Sequence, residues 1–187
     1  MSARRESSPR AFSFFLFSGI LKVMTLTTHS VIAAAITRPI MHSHPALIFL
    51  VGVASHYLSD AVPHWDYSLG SVVQSDNHKR HLDWHGSPGL TAFVKICLDF
   101  FLGFGIVFLV VRPDSTQKFL WAGLSVFGGV LPDLLQGVNL TLKSHPLWPL
   151  QRFHDFCHTK IRLGPYPLIG IPFQLAIFGL FLCLLTK

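Results

Sequence analysis

Three stretches of this chain, residues 90–111, 119–140 and 166–186, are almost wholly apolar and match the roughly 20 residues that a helix needs to cross a bilayer. A fourth, 46–62, is close to the lower limit. Backbone placed in hydrocarbon must satisfy its own hydrogen bonds, so such stretches are restricted to helices. Only 13% of the residues are charged, against about a quarter in an average soluble domain. The predicted fold is therefore all-α, a polytopic membrane helical bundle of about four to five helices, with the lipid bilayer as its surroundings. The formal charge of +6 is spread along the chain, which suits anchoring to anionic lipid and not a nucleic-acid surface.

Residues 1–23 read as an N-terminal extension, a basic arm with Arg4, Arg5 and Arg10 followed by the apolar run Ala11–Leu21. That run is too short to span alone, unless it continues through Lys22 into Thr25–Ile36 as one longer helix. Residues 24–187 read as a single membrane-embedded domain. Three widely separated cysteines, Cys97, Cys157 and Cys183, offer neither a disulfide framework nor a CxxC zinc knuckle.

The chemistry lies in the polar residues that interrupt these stretches. The chain has 11 histidines and 9 acidic residues, and ionisable groups inside apolar helices are functional by default. The densest cluster is His56-Tyr57-Leu58-Ser59-Asp60-Ala61-Val62-Pro63-His64-Trp65-Asp66. On a helix ending before Pro63, His56 and Asp60 are i and i+4 and project from one face, with His64 and Asp66 curling over its end. A nitrogen and a carboxylate one turn apart can reach one divalent ion. His29 follows Thr27-Thr28, an N-cap signal, and sits in the first turn of an apolar helix. His42 and His44 read as solvated loop residues.

Asp99 interrupts the stretch 90–111 and is either a structural partner of Lys95 one turn back or a metal ligand facing the bundle interior. Asp133 follows Gly128-Gly129-Val130-Leu131-Pro132; here a broken helix would let the carboxylate line a cavity. His154 and His158 form another i, i+4 pair in a polar connection flanked by Arg152 and Arg162. The loop 63–88 holds His78, His81 and His85 as further possible ligands. In an up-and-down bundle the ends carrying His56/Asp60, Asp99, Asp133 and His154/His158 all fall on one side of the membrane. Facing helices of a bundle core are a usual place to build metal sites.

His56-Tyr57-Leu58-Ser59-Asp60 followed by Pro63-His64 resembles the His-Tyr-x-x-Asp…Pro-x-His motif of zinc-dependent phospholipase C, with Pro63 and His64 adjacent here. From about Thr28 onward the layout is similar to a bacterial family of membrane-bound metal-dependent hydrolases. The matching residues are Thr28-His29, His56 through Asp66, Gly129 through Asp133, and His154 with His158. The resemblance implies a metal-dependent hydrolase in a bacterial inner (plasma) membrane.

Together these readings predict a divalent metal, zinc above others, held by His56, Asp60, His154 and His158, with His29, His64, Asp99 and Asp133 as further ligands. Asp66 or Asp155 would act as orienting group or general base, and Arg152 and Arg162 would hold a phosphate. The expected substrate is an ester, above all a phosphoester, of a lipid or lipid-linked molecule. A metal or proton transporter and a non-catalytic membrane scaffold are the alternatives.

Overall fold

The computed structural model describes residues 22–74, 80–142, 144–161 and 163–187, with the side chains of 22–24, 74 and 80 left aside. The apolar run Ala11–Leu21, His78 and Arg162 lie outside the described residues. Strand β1 (Lys22–Met24) leads into helix α1 (Leu26–Thr37), and a 3-10 turn at Arg38–Ile40 precedes α2 (Pro45–Asp60). Three short strands follow, β2 (Asp66–Ser68), β3 (Val72–Gln74) and β4 (Arg80–Leu82). Helices α3 (Gly86–Val111), α4 (Thr116–Thr141), α5 (Trp148–Cys157) and α6 (Pro167–Thr186) complete the chain.

The fold is mostly helical, as expected, but the described residues contain six α-helices where four to five were predicted. The additional helix is α5. It lies in the polar connection, where Pro149 at its start has the fixed φ that suits a first turn. The polar loop after α2 also differs from expectation. It forms two antiparallel ladders, β1 with β2 in the register Lys22↔Ser68 and Met24↔Asp66, and β3 with β4 in the register Val72↔Leu82. Lys22 and Val23 are thus paired strand residues, and no helix runs through Lys22 into α1. Thr25 is extended (φ −65°, ψ 126°) and starts α1 afresh.

Three helices, α3, α4 and α6, are long and apolar enough to cross a membrane, so this is a membrane protein. In the most apolar stretches of α3 and α6 only 11% and 17% of the residues are buried, against 50% in α4. α4 therefore sits inward, while α3 and α6 turn residues such as Leu98, Leu109 and Leu168 outward. At 16 residues α2 falls short of a span. With 12 residues, about 18 Å of helix, α1 is shorter still, and it is buried nearly all round, from Leu26 to Ala35.

Small residues let the helices close around α1. A Cβ on Gly128 would lie 2.7 Å from the Phe49 carbonyl of α2, and one on Gly129 would lie 2.6 Å from Ala33 Cβ of α1. Close backbone approach of this kind replaces the hydrophobic drive that helices lack in lipid. Buried hydroxyls link the same helices: Thr37 Oγ1 lies 2.6 Å from Ser125 Oγ and accepts from Trp121 Nε1 at 3.0 Å. Around them pack Val31, Ile48, Val107, Val126 and Leu185. The α4 helix runs unbroken through Pro132, so the predicted broken helix is not formed. Only the one bond to the Gly128 carbonyl is lost there.

We expect Gly128→Ala to push α2 from α4 and lower stability by about 1–3 kcal/mol. Gly123→Ala, where the added Cβ meets nothing within 4 Å, serves as control. Thermal unfolding of the detergent-purified pair decides: equal midpoints would refute the close-packing role of Gly128.

Candidate metal centre

Helical spacing puts His56 and Asp60 on the buried face of α2, and His56 Nε2 lies 3.2 Å from Asp60 Oδ2. The same carboxylate meets imidazoles from two other helices. His29 Nε2 of α1 is 3.3 Å from Asp60 Oδ1, and His154 Nε2 of α5 is 2.8 Å from Asp60 Oδ2. Asp133 of α4 closes the set, with Oδ1 3.8 Å from His56 Nε2 and 3.6 Å from His154 Nε2, and Oδ2 3.9 Å from His29 Nε2. The His29 and His56 rings stack with centroids 4.0 Å apart. His29, His56 and Asp60 are each at most 1% exposed.

The outer ring nitrogens settle where the protons are. His56 Nδ1 is 2.8 Å from the Gly129 carbonyl, which only accepts, so Nδ1 carries the proton and Nε2 presents a lone pair. Ser59 Oγ donates to the His56 carbonyl and therefore accepts from His29 Nδ1 at 2.9 Å, which leaves His29 Nε2 as a lone pair too. His154 Nδ1 pairs with the Gln136 amide at 3.1 Å. As placed, the amide nitrogen donates to Nδ1 and leaves the proton on Nε2, toward Asp60 Oδ2 at 2.8 Å; the amide turned by 180°, with Oε1 on Nδ1, would make His154 Nε2 a third lone pair.

A buried set of neutral imidazole lone pairs and two carboxylates repels itself unless a proton on one of the rings or a bound cation sits among them. Two atoms, His29 Nε2 and Asp133 Oδ2, are buried without a hydrogen-bond partner. Ligand atoms about 2.0–2.2 Å from a tetrahedral metal lie about 3.3–3.6 Å from one another. The separations of 3.2 Å from His56 Nε2 to both Asp60 and His154, and of 3.3 Å from His29 to Asp60, are close to that edge. Two carboxylates would also neutralise one divalent charge. The donor set thus fits a divalent ion, with each His held from behind by a second group as metal-ligating His commonly is.

A second group adjoins the first. Ligand atoms of Asp60, His64 and His158 lie within 4.8 Å of one another, as do those of His56, Asp60 and His154, and of His29, His56 and Asp133. His64 Nδ1 donates to the Val62 carbonyl at 2.7 Å, and His158 Nδ1 is 3.2 Å from the Thr159 carbonyl. Thr159 N donates to the Asp60 carbonyl at 2.8 Å, tying the end of α5 to the end of α2. Asp66 is buried and lies with Oδ1 2.8 Å from His64 Nε2. Burial alone lowers the His64 pKa, but the Asp66 carboxylate beside it outweighs burial and raises it overall.

Three of the expected site residues stand elsewhere among the described residues. Asp99 is not among the clustered ligands and does not pair with Lys95. Instead it caps α1, accepting from Leu26 N at 2.6 Å, Thr27 N at 3.0 Å, Thr27 Oγ1 at 2.6 Å and Tyr67 Oη at 3.2 Å. A carboxylate at free helix N–H groups satisfies both the donors and the helix dipole. Lys95 Nζ goes to the Ser68 carbonyl. Burial first, then the Asp99 charge, push the Tyr67 phenol well above its usual pKa, which keeps it a donor. Asp155 is exposed and accepts from Gln151, because one residue along α5 from His154 is about 100° round the helix. Arg152 is exposed on the same helix, and Arg162 lies outside the described residues. His81 and His85 belong to none of the ligand groups among the described residues.

Gln136, Ser59 and the Gly129 carbonyl join the site without having been expected there from the sequence. Gln136 is three residues after Asp133 and Ser59 three after His56, so helical spacing alone could have found both. Compared with family models, curated proteins and solved structures, the chain gives no match.

Gln136→Ala is expected to weaken zinc affinity about 10- to 100-fold, the usual effect of losing an orienting partner. Competition with a chromogenic chelator measures it, and unchanged affinity removes Gln136 from the centre. Asp99→Asn is expected to cost about 1–2 kcal/mol as a lost cap with zinc stoichiometry unchanged in elemental analysis. A loss of zinc in that variant would contradict the capping role.

Proposed function

We propose that this protein is a membrane-embedded metal-dependent hydrolase, of the bacterial inner membrane, that cleaves a phosphoester of a lipid or lipid-linked substrate. What carries the proposal is one observation: His29, His56 and His154, from three helices, aim Nε2 at two buried carboxylates, Asp60 and Asp133, with two atoms left unpartnered. The motif resemblances at Thr28-His29, His56 through Asp66, Gly129 through Asp133, and His154 with His158 to membrane-bound metal-dependent hydrolases, and at His56 through His64 to zinc-dependent phospholipase C, agree with this reading.

His29, His56, His154, Asp60 and Asp133 would hold one ion, zinc on the strength of this nitrogen and oxygen donor set. Asp60, His64 and His158 provide for a second beside it. A bound divalent ion supplies Lewis acidity, polarising a phosphoryl oxygen and bringing the ionisation of water near neutral pH. The chain's own part is to fix the imidazoles from behind through Gly129, Ser59 and Gln136. It also keeps the site inside apolar helices, where low dielectric strengthens each charge interaction. Asp66 orients His64 and stands nearest to serve as a base on that side. The Asp155 carboxylate, exposed and engaged with Gln151, takes no part.

The test is metal content and hydrolysis measured on one purified preparation. We expect wild-type protein to contain zinc, to hydrolyse a phosphodiester, to lose that activity on chelation and to regain it with Zn²⁺. His56→Ala and Asp60→Asn are expected to lose bound zinc and to lower kcat/KM by a factor of about 100 or more. Zinc binding with metal uptake into vesicles and no hydrolysis would replace the enzyme with a transporter; no zinc at all would leave a scaffold.

A further inference from the structure

The metal centre has a second neighbour, an apolar cavity of about 480 Å³ between the start of α3 and the end of α4. Leu69, Leu82, Trp84, Phe93, Ile96 and Leu134 are part of its wall. The volume is within the usual range for small-molecule pockets, about 300–1,000 Å³. Asp133 and Gln136 also line it, and these two residues belong to the metal centre. The Asp133 side chain is only 8% exposed, its Oδ1 faces His56 and His154, and its Oδ2 has no hydrogen-bond partner. One wall of the cavity is therefore the back of the ligand cluster, and the rest is mainly apolar, with Tyr67 and Thr141 as its other polar residues.

We propose that this cavity takes one hydrocarbon chain of a membrane lipid and so presents the lipid's headgroup ester to the metal centre. Its setting favours that occupant. α3 and α4 are both membrane-spanning by length and composition, and Phe93 and Val138 on the cavity wall are about half exposed on their outer sides. A chain can enter sideways from the bilayer without crossing water. An apolar cavity gains nothing from water. The presentation of the ester rests on the hydrolase assignment above; the binding of the chain does not.

Gly137 gives the handle for a test. It lies on the cavity wall, and a Cβ built there meets nothing within 4 Å, so Gly137→Phe fills the space instead of the packed core. Full-length protein in nanodiscs is irradiated with a phosphatidylglycerol carrying a diazirine in mid-chain, and adducts are mapped by mass spectrometry. We expect adducts on Phe93 and Leu134, reduced about tenfold in Gly137→Phe with zinc content unchanged. Gly179→Phe on α6, where a Cβ is equally unobstructed, should leave them as they are. Adducts confined to outward residues such as Leu98, Leu109 and Leu168, or equal yields in all three proteins, overturn the proposal. In parallel, KM for the long-chain lipid should rise about tenfold or more in Gly137→Phe. If wild type hydrolyses neither that lipid nor the soluble bis(p-nitrophenyl) phosphate, the enzymatic assignment fails and the adducts alone decide the cavity.

Discussion

A carboxylate enclosed by apolar helices must be met by donors or cations, and three imidazoles delivered from α1, α2 and α5 surround Asp60, as proton donors themselves or as fellow ligands of a bound cation. An uncompensated charge in that position costs several kcal/mol, so the three helices cannot separate without exposing the penalty. This explains why α1, too short to span the membrane yet carrying Thr27, Thr28, His29 and Ser30 in its first turns, lies at the centre of the molecule. Its His29 is needed at Asp60, and its first-turn N–H groups are taken by Asp99 from α3. The half-buried Asp99 thus holds α1 at its start, and the buried Asp60 recruits the residue one turn further on.

Packing and chemistry share residues in this protein. Gly129 leaves no room for a side chain against Ala33, and its carbonyl fixes the proton of His56. Gly128 brings α2 against α4 at the level where Asp133 must reach His56. Losing either close approach would move ligands as well as loosen the bundle. The order of α4 is also informative. Because the helix runs on through Pro132, Asp133 and Gln136 stay three residues apart on one face, and one wall supports both the cluster and the adjoining cavity.

Individual residues show how far the sequence could be read. His56 and Asp60 were legible because a turn of one helix brings them together, whatever the rest of the chain does. Asp133 stood out as an acid inside an apolar helix, but the same signal singled out Asp99, which serves as a helix cap. Composition and spacing cannot tell a carboxylate that meets backbone N–H groups from one that meets imidazoles. Nor could they show that residues 148–157 form a helix, which buries His154 and turns Arg152 and Asp155 to the outside.

Length, apolarity and local period therefore determined a helical membrane protein, its three long helices and the pairing of groups within one turn, since each depends only on neighbours along the chain. Which acids share which histidines, which nitrogen of each ring carries the proton, and that an apolar cavity backs onto the ligands were decided by tertiary structure alone. Those outcomes depend on how closely separate helices approach. That distance is set by small residues and buried hydrogen bonds far apart in sequence, and no local pattern encodes it.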